Sequence, residues 1–408
     1  MDHFNAANEI QDLQYFGEFG GVNPSISDSS TYTFLSAKTM FDTFEGNADG
    51  CYLYSRHSSP MNLYLSQALA KMENTETANV TASGMGAITS VLMQICKSGD
   101  HIISSRTIYG GTYAFLKNFL PPFNIDTTFL DINNFESIEN AIQPNTKIIY
   151  CESVSNPLLE VADLRTLSDI CKKHNLQLIV DNTFSPLSIS PSLLGADIVI
   201  HSLTKFINGS SDTVGGVYCG TQEFINDTKN VNNGACMLLG PTMDSFRSAS
   251  ILKNLRTLHI RMKQHSHNAL YLAERFENDG LKVSYPGLPS HKNHELMKSM
   301  MQKEYGFGGL LTVDAGTTEK ANELMEMMQR ENLGYLAVSL GFYKTLFSCS
   351  GSSTSSEIPE EEREEMGISD GLIRFSIGLD HDIERTYKKM KECMIKTGVL
   401  HHETIFTS

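Results

Sequence analysis

The sequence predicts an α/β protein: a large domain with a mostly parallel sheet, followed by a smaller C-terminal α+β domain. Between residues 78 and 200, short apolar runs alternate with stretches of helical periodicity, the pattern of repeated βαβ units. Beyond residue 257 strands and helices mix less regularly. A chain of 408 residues with 40% hydrophobic content is long enough for both cores. The expected division is an N-terminal arm over 1–57, a ligand-binding domain over 58–256 and a C-terminal domain over 257–408.

The elements follow in chain order. Residues 1–57 show weak periodicity and many Gly, Ser, Thr and Asn, and read as an irregular arm ending near Tyr54 and Arg56. Such an arm packs on its own domain or reaches a neighbouring subunit. From Asn62 the spacing of Leu65, Leu69 and Met72 predicts a helix. Ala78-Asn-Val-Thr-Ala is a strand, and Ser83-Gly-Met-Gly-Ala then opens a helix. Small residues at such a turn leave backbone amides at a helix N-terminus, a seat for phosphate or a simple steric need. His101–Ser105 is a strand, after which Tyr109 stands among glycines, either stacking on a flat ring, giving a proton, or lying on the surface. Lys147–Glu152 is a strand broken soon after by Asn156-Pro157, and Leu164–His174 is a helix. Strands over 176–180 and 198–200 close the alternating run.

In the second half, Ile251 to Asn278 reads as one or two long helices, Gly308–Asp314 as a strand, Lys320–Arg330 as a helix and Leu372–Gly378 as the last strand. Residues 348–358 form a Ser-rich loop, and the acidic run from Glu360 to Glu365 reads as a solvated helix face. Arg374 lies inside a strand, either paired structurally or facing a cleft to hold a carboxylate.

Charge and cysteine usage narrow the class. A net charge of −15 repels nucleic acid and anionic membrane. The eight cysteines are scattered without a Cys-x-x-Cys pair, as expected of reduced thiols in a cytoplasmic protein rather than of a disulfide framework or zinc site. No signal peptide and no apolar run of membrane-spanning length is visible.

Two strand ends carry the chemistry. Leu176-Gln-Leu-Ile-Val-Asp ends in Asp181, and Ile198-Val-Ile-His leads to Ser202, Thr204 and Lys205. In an α/β sheet ligands gather at the carboxyl ends of strands, so consecutive strands ending in Asp and Lys aim both groups at one crevice. A lysine in that position either reaches water or, partly buried and favoured as the free amine, forms a Schiff base with an aldehyde. An aspartate beside it suits pyridoxal phosphate (PLP), whose ring nitrogen needs a carboxylate to stay protonated. Taken alone, Asp181 could equally cap a helix or form a turn.

The stretches Tyr54-Ser-Arg-His, Ser83-Gly-Met-Gly-Ala, Tyr109-Gly-Gly-Thr, Glu152-Ser-Val-Ser-Asn-Pro, Asp181-Asn-Thr-Phe, His201-Ser-Leu-Thr-Lys-Phe, Ala337-Val-Ser-Leu-Gly and Gly371-Leu-Ile-Arg-Phe-Ser-Ile-Gly together resemble the Cys/Met-metabolism branch of fold-type I PLP enzymes. Within it the chain is most similar to plant-type methionine γ-lyases, over nearly its whole length. The resemblance implies the following roles. Lys205 forms the Schiff base and shuttles protons, Asp181 pairs with the pyridine nitrogen, and Tyr109 stacks on the ring and protonates the leaving thiol. Gly84, Met85, Ser202 and Thr204 bind the phosphate, with Tyr54 and Arg56 supplied by the adjacent subunit. Asn156, Ser339 and Arg374 hold the cofactor oxygen and the amino-acid end of the substrate.

The implied reaction is γ-elimination from L-methionine or homocysteine, giving a thiol, 2-oxobutanoate and ammonia, in a homotetramer built as a dimer of active dimers. Close alternatives are γ-replacement on an O-acylated homoserine, γ- or β-elimination on cystathionine, and a catalytically silent scaffold of the same fold. The sequence departs from bacterial methionine γ-lyases at Gly111, where those carry Cys, and from the family's Asn-Pro-Thr at Ser59-Pro-Met. Ala114 stands where cystathionine enzymes often have Arg.

Overall fold

The computed structural model describes residues 4–45, 48, 50–349, 361 and 369–401. Seven strands form the large sheet: β1 (Thr77–Thr81), β2 (His101–Ser105), β3 (Asp126–Leu130), β4 (Thr146–Glu152), β5 (Gln177–Asp181), β6 (Ile198–Ser202) and β7 (Gly216–Gly220), in spatial order β1-β7-β6-β5-β4-β2-β3. The contiguous strands β3, β2, β4, β5 and β6 are parallel, while β7 runs antiparallel to both β6 and β1. The central strands read as near-continuous apolar runs because helices cover both faces. Ile148, Tyr150, Ile179, Ile198 and Ile200 pack with the Gly84–Ile95 helix on one face. Ile149, Cys151, Leu178, Val180 and Val199 pack with the Pro60–Met72 helix on the other.

The second sheet holds β8 (Val283–Ser284), β9 (Leu310–Asp314), β10 (Tyr335–Leu336), β11 (Leu346–Cys349) and β12 (Leu372–Ser376) in the order β10-β11-β12-β9-β8, antiparallel except between β10 and β11. Its separate core includes Phe276, Phe347, Phe375 and Met390, under the helices Leu258–Asn278, Thr318–Arg330 and Ile383–Lys396. The expected α/β class, with a mostly parallel large sheet and a smaller mixed unit, is what the chain adopts.

Three expectations change. The arm contains the helices Ala6–Gln11 and Ala37–Phe44. Asn5 caps the first, and Ala6 and Ile10 are buried in the large core; six residues are too few for periodicity to show. The next helix begins at Pro60, two residues earlier than its apolar spacing suggests, because Ser59 caps it and proline suits the first turn. Strand β3, Asp-Thr-Thr-Phe-Leu, falls outside the expected strands, as do β7, β8, β10 and β11; it sits at the sheet edge, is only partly buried and lacks an apolar run. The Ser-rich loop from 350 onward, and the 360–365 acidic run apart from 361, lie outside the described residues.

Candidate active site

At the carboxyl ends of β4, β5 and β6 lies a cavity of about 250 Å³. The parallel register sets Glu152 beside Asp181 and Asp181 beside Ile200, so two acids and the Ser202–Lys205 turn arrive together. Of the twelve residues singled out in the sequence, nine line this cavity: Gly84, Met85, Tyr109, Asn156, Asp181, Ser202, Thr204, Lys205 and Arg374. Ser339 joins them through its Oγ, which accepts from Lys205 Nζ at 3.0 Å. That approach depends on Gly341, held at φ +79°, where a Cβ would come within 2.5 Å of the Phe206 amide nitrogen.

Tyr54 and Arg56 are the exceptions. The Arg56 guanidinium donates to the Met237 carbonyl (2.9 Å) and lies 5.8 Å from the Tyr54 ring centre; neither residue lines the cavity of its own chain.

Each polar group is held in a way that prepares it for a ligand. Burial and the Arg374 charge lower the Lys205 pKa to about 8, so a sizeable fraction is free amine near neutrality. Burial raises the Asp181 pKa, opposed by Thr183, whose amide (3.0 Å) and hydroxyl (2.5 Å) both donate to Oδ1, and by the charge of His201. Thr183 Oγ1 in turn accepts from the Ser202 amide at 2.8 Å, tying the ends of β5 and β6. Ser83 caps the Gly84–Ile95 helix by accepting from the Gly86 amide (2.9 Å), while the Gly84 and Met85 amides have no intrahelical acceptor. With the Ser202 and Thr204 side chains opposite, this helix end fits a phosphate.

Arg374 comes from β12 of the second sheet and is both paired and turned to the cavity. It is 3% exposed, donates from Nη1 to Asn156 Oδ1 (3.0 Å), and still faces the cavity. Burial lowers its pKa to about 10, which leaves it charged at neutral pH.

Two residues lacked an assigned role in the sequence. Thr183 orients Asp181. Glu152 is buried in the cavity wall, and burial plus the Asp181 charge raise its pKa to about 8, against the pull of two backbone amides and Arg374. The signal that found Asp181, an apolar run closing in an acid, is present at Ile148-Ile-Tyr-Cys-Glu as well.

A buried amine, an acid on the neighbouring strand and a phosphate seat form a constellation suited to PLP. The profile of Cys/Met metabolism PLP-dependent enzymes matches residues 7–391. The chain belongs to this family. It is 44% identical over 387 residues to a methionine γ-lyase of Arabidopsis thaliana, covering 93% of this chain and 88% of that one. It is 38% identical to an L-methionine γ-lyase of Porphyromonas gingivalis (89% and 90% covered) and 39% identical to a cystathionine γ-lyase of Bacillus subtilis (81% and 85% covered). A solved structure of a candidate O-acetylhomoserine (thiol)-lyase from Campylobacter jejuni superimposes with a TM-score of 0.87 at 29% identity, covering 96% of this chain and all of that one, and carries N'-pyridoxyl-lysine-5'-monophosphate. The protein is therefore a PLP-dependent enzyme of fold type I. Among the described residues no helix is long and apolar enough to cross a membrane.

Proposed function

We propose that the enzyme carries out γ-elimination on a small sulfur amino acid, L-methionine or homocysteine, releasing a thiol (methanethiol from methionine), 2-oxobutanoate and ammonia. The observation that supports this most is the charge inventory of the cavity. Among the described lining residues the acidic and basic side chains are Glu152, Asp181, Lys205 and Arg374. Arg374 suits the carboxylate of one amino-acid end, and the remaining walls include apolar Val214, Val338 and Leu340. A thioether side chain fits such walls, whereas cystathionine would bring a second ammonium and carboxylate to surfaces with no matching charge. The methionine γ-lyases among the relatives agree with this reading.

When bound, PLP supplies the electron sink that makes substrate C–H bonds next to the imine acidic. The chain supplies the rest. Lys205, poised near neutrality, removes and returns protons at Cα and Cβ. Asp181 keeps the pyridine nitrogen protonated. Tyr109, which lines the cavity, would hold the ring and give its phenolic proton to the departing sulfur. The Gly84 and Met85 amides with Ser202 and Thr204 hold the phosphate. Asn156 and Arg374 fix the substrate carboxylate, and Ser339 orients Lys205.

Tyr54 and Arg56 reach the phosphate of a second copy, which makes the working unit a dimer and the assembly a homotetramer. Solvent-facing Phe16, Phe19, Leu35, Phe41 and Phe44 on the arm support its being covered by another subunit. Seven of the eight free cysteines are buried, in keeping with a cytoplasmic enzyme.

The test is incubation of the PLP-loaded enzyme with L-methionine and measurement of 2-oxobutanoate and methanethiol. No keto acid at saturating methionine overturns the reading. The structural likeness to the Campylobacter jejuni protein favours a second one, γ-replacement. It predicts that O-acetylhomoserine plus sulfide yields homocysteine faster than methionine is consumed.

A further inference from the structure

Hydrogen bonds connect the polar residues around the cavity from one to the next, and Glu152 joins Asn156 to Tyr109. Lys205 Nζ donates to Ser339 Oγ (3.0 Å). Arg374 Nη2 donates to the carbonyls of Val338 (3.4 Å) and Ser339 (3.3 Å), and its Nη1 to Asn156 Oδ1 (3.0 Å). The Asn156 amide donates to Glu152 Oε2 at 2.9 Å, and the Tyr109 amide to Glu152 Oε1 at 2.7 Å. One carboxylate thus grips the backbone of two residues assigned to opposite tasks, at the start of two irregular segments. Tyr109 precedes the short Gly110–Ala114 helix with no side-chain cap of its own. Asn156 stands where the chain leaves β4.

Burial alone gives no reason for an acid here. Glu152 is 7% exposed and paired in register with Asp181, so the site places two carboxylates together at considerable desolvation cost. An apolar side chain would avoid that cost but would leave the buried Asn156 amide and the partly buried Tyr109 amide without this acceptor. A carboxylate is the compact group that offers two oxygens to two donors at once.

We propose that Glu152 is a positioning residue: its two oxygens fix the spacing between the Tyr109 backbone and the Asn156–Arg374 pair that would clamp the substrate carboxylate. This rests on the placement of PLP and substrate argued above. Holding both segments with one rigid group sets their distance directly instead of through the loops between them.

The test compares Glu152→Gln and Glu152→Asp with the wild type. Glutamine keeps the size but turns one acceptor into a donor facing an N–H. Aspartate keeps both acceptors but is one methylene too short to reach both. Three quantities are read: PLP dissociation constant of the apoenzyme, binding of unreactive L-norleucine by its perturbation of the cofactor absorption, and apoenzyme melting. Both variants should weaken PLP and L-norleucine binding, and L-norleucine by about 10- to 100-fold for Gln. With L-methionine, kcat should fall in addition to any rise in KM, with Asp milder than Gln. Unchanged binding constants, or losses that vanish once corrected for the unfolded fraction, overturn the proposal. PLP and L-norleucine binding do not require methionine turnover, so a wrong substrate assignment is read separately from a wrong role for Glu152.

Discussion

The two faces of the large sheet each bury an acid close to the same strand ends, and they do it in opposite ways. On the cavity face Glu152 and Asp181 stand side by side, held by amides and a threonine hydroxyl, with open volume in front of them. On the other face Glu73, just past the Pro60–Met72 helix, is 1% exposed and its Oε1 lies 2.6 Å from Nε2 of fully buried His201. Ser153 donates to Asn182 Oδ1 (2.7 Å) beside that pair, and none of these four residues lines the cavity. Burial of a titratable group therefore does not identify a reactive site. What distinguishes the cavity face is that its acids are held by amides and a threonine hydroxyl and, among the described residues, have no ion-pair partner in contact. A pyridinium, an amino acid and a phosphate can supply what is missing.

The largest effect expected from breaking the cavity face is that of Lys205→Ala. It removes the imine-forming amine and the proton shuttle together. Elimination should fall by on the order of 10³-fold or more, and the visible band of the PLP–protein complex should disappear, while far-UV circular dichroism stays that of the wild type. A variant that kept both colour and turnover would break the assignment of the cavity.

The opposite face should answer to a different measurement. Glu73→Ala leaves His201 buried without its acid, a change that typically costs about 3–5 kcal/mol of stability. Urea unfolding should show that loss as a lower midpoint with an unchanged slope. Activity per folded molecule should change little, because neither Glu73 nor His201 lines the cavity. A large loss of kcat with the midpoint unmoved would show that the two faces are one site.

Why the cavity face was readable in the sequence and the other was not follows from how each is built. Asp181 and Lys205 end apolar runs, and the parallel topology carries strand ends to one crevice, so one-dimensional pattern became a three-dimensional statement. Glu73 and His201 lie 128 positions apart and meet only through packing of a helix on the sheet, which leaves no spacing to read. Arg374 shows the intermediate case: its strand was legible, but its contact with Asn156 joins residues 218 positions apart across the two sheets. Tyr54 and Arg56 stand out in the sequence only as the end of an irregular arm, their phosphate role comes from the resemblance, and a single chain gives them no cavity to line.

The third test uses pH. Because burial and Arg374 depress the Lys205 pKa from 10.5 to about 8, deprotonation runs ahead of that of an exposed lysine. The rate at which apoenzyme captures PLP, followed by absorbance, should rise about tenfold per pH unit below 8 and level off above it. A rise that continues to pH 10 would mean that the amine is solvated, and that the cavity face lacks the desolvation on which the comparison depends.

The smallest expected effect concerns how finely that face is packed. A Cβ at Gly111 would stand 2.6 Å from Tyr109 Cε1 and 3.1 Å from Cζ, so the phenol can lie where it does only because residue 111 has no side chain. Gly111→Cys must swing the ring aside, and the ring is the mobile end of a side chain whose backbone Glu152 continues to hold. The expected result is a fall in kcat of about three- to tenfold, with melting changed by no more than about 2 °C. A variant as active as the wild type would show that the phenol position is not limiting. A loss as deep as that of Lys205→Ala would show that Tyr109 matters more than the acid–base pair it overlies.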